Sequence, residues 1–335
     1  MRQLQIGLLG YGLSGRYLQA PFFAAHPGFK VVRVMTSREA ELRERFPDLS
    51  PAKKVEDILG DLAIDLVAIA TPNATHYDLA RAALEAGKHV LVDKPACPTA
   101  GQLRELRDLA ATRKLHLFVF QNRRWDSDFL TVKQVLNSGV LGQLVSYEAR
   151  YDRWKPSPNA KAWKETPGPG AGMLYDLGAH LIDQSIALFG VPTHVNGSSW
   201  RQRSFSSIPD AFDLLLEYND GLRAKLSCSL LVKEPTPRYR LNGALGSYVK
   251  YGIDIQEDQL KAGLESDDPH FGTEPEEQVG VLHTDVGRVN YPTLAGRWMG
   301  LFENIYDVIT TGAKPAVPLE EIIAQLEIIE SVEVR

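Results

Sequence analysis

Two strand-sized apolar runs separated by a helical pattern constrain this chain most. Leu66-Val67-Ala68-Ile69-Ala70 stops at Thr71-Pro72-Asn73, and Ala80, Ala83 and Leu84 then recur at helical spacing until Gly87. The second run, His89-Val90-Leu91-Val92, ends at Asp93-Lys94-Pro95. Strand, helix and strand in this order predict a right-handed crossover in a parallel sheet. In such sheets ligands sit beyond the carboxyl ends of the strands. Both polar clusters fall there, which makes Lys94 a chemical candidate rather than a surface charge.

The same alternation runs from Leu4 to about Phe120, and the pattern changes after Gln121. A length of 335 residues exceeds one ordinary core. Two domains are expected, residues 1–121 and 122–335. In the second, a helix over 129–136 and a strand over 144–154 precede a Pro- and Gly-rich loop from Lys155 to Gly172. A helix over 173–189 follows. Residues 211–218 and 222–231 flank Asn219-Asp220-Gly221, a hairpin signal. Further strands are expected over 238–242 and 247–251, and helices over 297–311 and 319–333. Residues 256–292, acidic and rich in Pro and Gly, read as largely irregular. The fold class is an α/β Rossmann domain with a parallel sheet, plus an α+β domain with a mostly antiparallel sheet.

Composition bounds the partners. A formal net charge of −5 and no basic run argue against nucleic acid or an anionic membrane as main partner. The apolar runs are far shorter than a membrane-spanning helix. The first residues enter a strand directly, so no signal peptide is expected. Cys97 and Cys228 lack metal or redox spacing and read as two thiols in a reducing cytosol.

The Leu4–Leu9 run leads into Gly10-Tyr11-Gly12-Leu13-Ser14-Gly15, and a helical segment starts at Arg16. A lone GxGxxG is weak evidence, but the strand before it and the helix after it are the context of a dinucleotide site. The glycines permit a tight turn and close backbone approach, and the helix start favours a pyrophosphate. Pro21 should kink or end that helix, because an interior proline loses a hydrogen bond. The second strand ends at Thr36-Ser37-Arg38 with no carboxylate before Glu39. A hydroxyl and a guanidinium suit a 2′-phosphate, so Ser37 and Arg38 favour NADP over NAD.

In the second half, Gly168-Pro169-Gly170-Ala171-Gly172 precedes a helix carrying Asp176, His180 and Asp183. Spacings of four and three place them on one helical face. Asp176 at i−4 is within reach of His180 and would orient the imidazole and favour its protonated form. Such a pair suits a general base that takes a hydroxyl proton while a hydride leaves the same carbon. A surface ion pair or a zinc site are the competing readings, and the remaining zinc ligands are not visible at any recognisable spacing.

Taken together, Gly10–Gly15, Thr71-Pro72-Asn73 with His76, Ala86-Gly87-Lys88-His89-Val90, Lys94-Pro95 and Asp176-x-x-x-His180 after a Gly-rich loop resemble the Gfo/Idh/MocA family along essentially the whole chain. Asp93 stands where the family most often has Glu. Asp93-Lys94-Pro95 and the Asn122–Phe129 stretch are most similar to a bacterial branch that resembles NADP-dependent scyllo-inositol dehydrogenases. Family members usually run slightly past residue 335, so an incomplete last helix is expected.

The resemblance implies that Lys94, Asp176 and His180 form the catalytic group. Lys94 would hydrogen-bond the reacting oxygen, His180 would shuttle the proton and Asp176 would hold it. Thr71, Pro72, Asn73, His76, Asp93 and Asn122 would line the ribose and nicotinamide, with Trp163 nearby. Arg124, Asp126, Arg153 and Asp183 are candidates for contacts to substrate hydroxyls, and a solvated polar surface competes for each. The expected protein is a cytoplasmic homodimer or homotetramer that oxidises a cyclic polyol or sugar with NADP. Reduction of another sugar-derived or small ketone, or dinucleotide sensing without chemistry, are the alternatives.

Overall fold

The computed structural model describes residues 2–49, 51–158 and 166–334, which fall into two compact units. The first contains the chain up to Asn122, then Gln256–Phe271 and Trp298–Ile323. The second contains Arg123–Ile255, Gly272–Arg297 and the chain from Ala324.

The first unit holds a parallel sheet of five strands: β1 (Leu4–Leu9), β2 (Phe29–Met35), β3 (Leu66–Ile69), β4 (His89–Val92) and β5 (Leu117–Val119). Their order is β2-β1-β3-β4-β5, and every pairing is parallel. The chain leaves β1 toward one edge and returns on its other side at β3, so β1 and β3 flank the topological switch point. All four residues of β3 are buried, as a central strand covered on both faces requires.

Pro21 does not break its helix. The segment opens with a π-helical stretch, Ser14–Gln19, and regular α-helix runs only over Ala20–Ala25. Pro21 thereby falls in the first α turn, where its missing N–H costs little. Phe22 behind it stacks on Phe302 at 5.0 Å between ring centroids, and Phe23 meets Phe302 edge-on at 5.0 Å. Tyr306 Oη donates to the Arg2 carbonyl at 2.8 Å. These contacts are why the Met299–Thr311 helix belongs with the first unit. The 1–121 and 122–335 division treats the chain after residue 121 as one body, whereas the structure returns it twice to the first core.

The second unit is built on a mixed, mostly antiparallel sheet of nine strands. They are β6 (Leu144–Arg150), β7 (His194–Trp200), β8 (Ala211–Glu217), β9 (Arg223–Ser229), β10 (Tyr239–Gly243), β11 (Gly246–Lys250), β12 (Gly280–Thr284), β13 (Gly287–Tyr291) and the two-residue β14 (Glu333–Val334). The order is β13-β12-β11-β10-β6-β9-β8-β7-β14, with β6–β9 and β7–β14 parallel. Residues 256–292 are therefore not largely irregular: they contain the Gln256–Lys261 helix and the β12–β13 hairpin. No residue of β13, an edge strand, is buried, and the short Arg288-Val289-Asn290-Tyr291 alternation is its whole signal. β7 escapes the same pattern, with only Ser199 buried. Among the described residues no helix is long and apolar enough to cross a membrane.

Candidate active site

At the carboxyl edge of the first sheet the chain is shaped by its backbone. Gly10 has φ +95°, and a Cβ there would lie 2.6 Å from the Ala70 carbonyl oxygen. A Cβ on Gly15 would lie 2.1 Å from the Gly10 oxygen, so the turn after β1 closes only with glycine at both places. A Cβ on Gly12 would meet no atom within 4 Å, which leaves its backbone open to a ligand. Tight turn, open middle glycine and following helix fit a pyrophosphate, the chemistry that a dinucleotide brings to a switch point.

The side chains of this turn differ in exposure. Tyr11 is buried and Leu13 is exposed. Ser14 Oγ accepts from the Gln19 amide at 3.2 Å. Past β2, Thr36 Oγ1 accepts the Arg38 N–H at 2.9 Å, and Ser37 and Arg38 are exposed. The Arg38 guanidinium stands 3.8 Å from Glu41, beyond hydrogen-bond length. The first carboxylate after β2, Glu39, is engaged by Arg43 at 2.6 Å.

Thr71 follows β3, and its hydroxyl meets that of Thr75 at 2.7 Å. His76 is fully buried: Nδ1 lies 2.8 Å from the Pro95 carbonyl oxygen and Nε2 2.9 Å from that of Thr71. The ring therefore ties the end of β3 to the Lys94-Pro95 turn after β4. That is a backbone strap, where the resemblance implies a residue lining the nucleotide. Asp93 carries the turn on, its N–H bonded to Ile69 O at 2.9 Å and its Oδ1 accepting the Lys94 N–H at 2.8 Å. Lys94 is half-buried and the Lys94-Pro95 bond is cis. Pro72 and Asn73 sit at the same edge, and Asn122 is buried just beyond β5.

In the second unit the expected helix comes in two parts. Leu174–Gly178 is a π-helical stretch and regular α-helix begins at Ala179. Asp176 and His180 are thus separated by a change of helical pitch instead of a uniform i, i+4 spacing. Isolated π turns recur at functional sites. Gly178 allows this one to pack, since a Cβ there would meet Leu174 at 2.8 Å and Phe212 at 3.1 Å. Asp176 N–H donates to Gly172 O at 3.0 Å. Gly172 itself, at φ +103°, lies against the Pro209 carbonyl, so the close approach at that glycine is to protein. His180 is buried, as are all residues from Ala179 to Ile186.

Three of the four residues expected to face substrate are paired inside the second unit. Arg124 grips Asp183 with Nε at 2.9 Å and Nη2 at 2.6 Å, and both are buried. Asp126 is fully buried 3.2 Å from Arg123. Arg153 is half-buried, its N–H bonded to Ser229 O at 2.8 Å. Trp163 lies outside the described residues. Sequence reasoning missed the partners of this region. Gln184 accepts from Arg238 at 3.0 Å and from the Tyr239 hydroxyl at 2.8 Å, and donates to Arg123 O at 2.8 Å. The available signal was the polar triplet Asp183-Gln184-Ser185 inside a helix that is apolar elsewhere except at His180.

A glycine turn at the switch point of a parallel sheet, in a chain whose second unit holds a large mixed sheet, is a Rossmann domain followed by an α+β domain, and similarity to known proteins makes it an oxidoreductase with a nicotinamide dinucleotide cofactor. The chain belongs to the Gfo/Idh/MocA oxidoreductases. The oxidoreductase family with NAD-binding Rossmann fold matches residues 4–121, and the GFO/IDH/MocA C-terminal domain matches residues 129–249. The chain is 37% identical over 332 residues to scyllo-inositol 2-dehydrogenase (NADP(+)) IolW of Bacillus subtilis, covering 98% of this chain and 92% of that protein. It is 38% identical over 329 residues to the uncharacterized oxidoreductase YdgJ of Escherichia coli, covering 98% and 94%. The solved structure of the oxidoreductase yvaA from Bacillus subtilis superposes with a TM-score of 0.94 at 37% identity, covering 98% and 95%.

Proposed function

We propose that this chain is an NADP-dependent dehydrogenase acting on a secondary alcohol of a cyclic polyol or sugar, or on the matching ketone, with scyllo-inositol the first substrate to try. One observation carries the reading: Lys94 leaves the carboxyl edge of the same sheet as the open glycine turn, two strands from it. The similarity to a scyllo-inositol dehydrogenase supports the substrate class.

Lys94, Asp176 and His180 are proposed to act on one substrate carbon. The Lys94 ammonium donates a hydrogen bond to the reacting oxygen and stabilises charge developing on it, an effect typically worth about 10²–10³ in rate. His180 takes the hydroxyl proton on oxidation and returns it on reduction, contributing roughly 10²–10⁴. Asp176 is proposed to orient the imidazole. The bound nucleotide supplies the hydride-accepting ring. Asn73, Asp93 and Asn122 are proposed to contact it near that ring, and Arg153 to contact substrate hydroxyls.

For the nucleotide, exposed Ser37 and Arg38 with Glu39 already engaged by Arg43 support a 2′-phosphate. Arg38→Ala should weaken NADP binding by about 1.5–3 kcal/mol, roughly ten- to a hundredfold, and leave NAD nearly unchanged. Equal loss for both nucleotides would remove the phosphate contact. Steady-state assays across inositols, aldoses and their keto forms, with both nucleotides, test the substrate. Absence of turnover with all of them would end the polyol assignment. A cytoplasmic homodimer or homotetramer is the proposed state, to be checked by sedimentation and fractionation.

A further inference from the structure

We propose that Asp183 and Gln184 are positioning residues for His180, and that a buried polar frame, not the apolar surface of the helix, sets the rotation at which the imidazole is presented. This inference rests on the acid–base reading of His180 given above.

The Ala179–Phe189 helix is buried continuously from Ala179 to Ile186, and Ala179, Leu181, Ile182 and Ile186 give it apolar contacts. Apolar burial is non-directional, and one residue of slippage turns a helix by about 100°. The segment before it is π-helical, so the entry to the helix does not supply a regular α register. Directional bonds further along are what can fix its rotation.

They lie three and four residues past His180, on the same side of the helix. Asp183 receives two nitrogens of Arg124, at 2.9 and 2.6 Å, and such a fork fixes orientation as well as distance. Gln184, one residue on, accepts from Arg238 and Tyr239 and donates to the Arg123 carbonyl. Two anchors about 100° apart determine a rotation where one would leave a hinge. Arg238 is itself immobilised: Asp128 accepts from its Nε at 3.1 Å, and its guanidinium carbon lies 3.9 and 4.2 Å from the ring centroids of Tyr151 and Tyr239.

Stability alone gives little reason for such a frame. Exchanging buried ion pairs for well-packed apolar residues is often neutral or stabilising. What apolar residues lack is direction, which a helix presenting a proton-transfer group requires.

The test uses full-length protein, with and without NADP+, carrying ¹³C-labelled histidine. The His180 resonance is assigned by its loss in His180→Gln. Arg124→Lys keeps the charge and loses the fork, whereas Asp183→Asn loses the charge. Both are expected to shift and split the His180 resonance and to leave those of His89 and His116 in place. With NADP+ and scyllo-inositol, kcat per nucleotide-binding molecule should fall about ten- to a hundredfold, with KM for NADP+ within about twofold. A lowered unfolding midpoint with His180 resonance and turnover at wild-type values would overturn the proposal, as would a shifted resonance with unchanged turnover. If Asp183→Asn does not fold, Arg124→Lys decides; if scyllo-inositol is not turned over, the resonance decides. Wild-type turnover in His180→Gln would strike the acid–base reading instead, and the resonance would still report on the frame.

Discussion

The carboxyl edge of the first sheet and the His180 helix of the second unit are made rigid by opposite means. The first is held by backbone: glycines that admit no Cβ, and carbonyls of Thr71 and Pro95 joined through one imidazole. The second is held by side-chain charge: Arg124 with Asp183 and Arg238 with Asp128, both pairs buried. A backbone turn leaves room for a nucleotide that must approach main-chain N–H groups. A charged frame instead leaves a helix ordered while its own backbone bonds stay intact. The difference teaches that rigidity at the edge of a sheet and rigidity along a buried helix are separate physical problems.

The largest effect should come from breaking the charged frame. Arg238→Met leaves Asp128 without its buried cation and takes one of three bonds from Gln184, and should cost the second unit about 3–5 kcal/mol, read by urea unfolding. An undiminished stability would mean the cation is not what holds this region.

On the backbone side, His76→Leu removes a buried ring whose nitrogens face two carbonyls and which donates to at least one of them, and should destabilise the first unit by roughly 1–3 kcal/mol. His76→Gln keeps an amide that donates twice and should recover part of that loss. If Leu and Gln variants unfold alike, the ring is filler and not a strap.

Gly12→Val sharpens the contrast further. Nothing within 4 Å of that Cβ opposes it, so the unfolding midpoint should change by less than about 2 °C, while NADPH affinity falls at least tenfold. A stable variant that binds NADPH normally would place the pyrophosphate elsewhere.

The smallest effect is acid sensitivity of the first unit. Burial, and then the neighbouring His116, lower the His89 pKa from its usual value of 6.5 to about 4. A group harder to protonate when folded contributes nothing above the higher value and costs stability below it. Stability should therefore decline as pH falls from about 6.5 to about 4, and His89→Gln should flatten that decline. Cys97, whose thiol burial pushes up to about 12, should stay unreactive toward disulfide reagents in the folded state.

The same comparison explains what was readable in the sequence. Gly10, Gly12, Gly15 and the Thr71 and Lys94 clusters were legible because backbone constraints write themselves locally in Gly, Pro and apolar runs. The parallel sheet and the two helices near the end of the chain were legible for the same reason. The Arg124–Asp183 and Arg238–Asp128 pairs join residues 59 and 110 apart, and nothing local marks a polar residue as paired. Hence the partners of Arg124, Asp126 and Asp183 are not legible in the sequence. The return of the Met299–Thr311 helix to the first unit is equally non-local, set by where Phe302 finds Phe22. The π-helical stretches before Ala20 and Ala179 were invisible because their residues differ little from those of an α-helix.

The most direct test follows NADPH absorbance in wild type, Lys94→Ala and His180→Ala with NADP+ and a panel of cyclic polyols, each protein first titrated with NADPH. Turnover in the wild type, a loss of at least about a hundredfold in each variant and retained NADPH binding are expected. Both variants turning over at the wild-type rate would contradict the assignment of Lys94 and His180 to one reacting carbon.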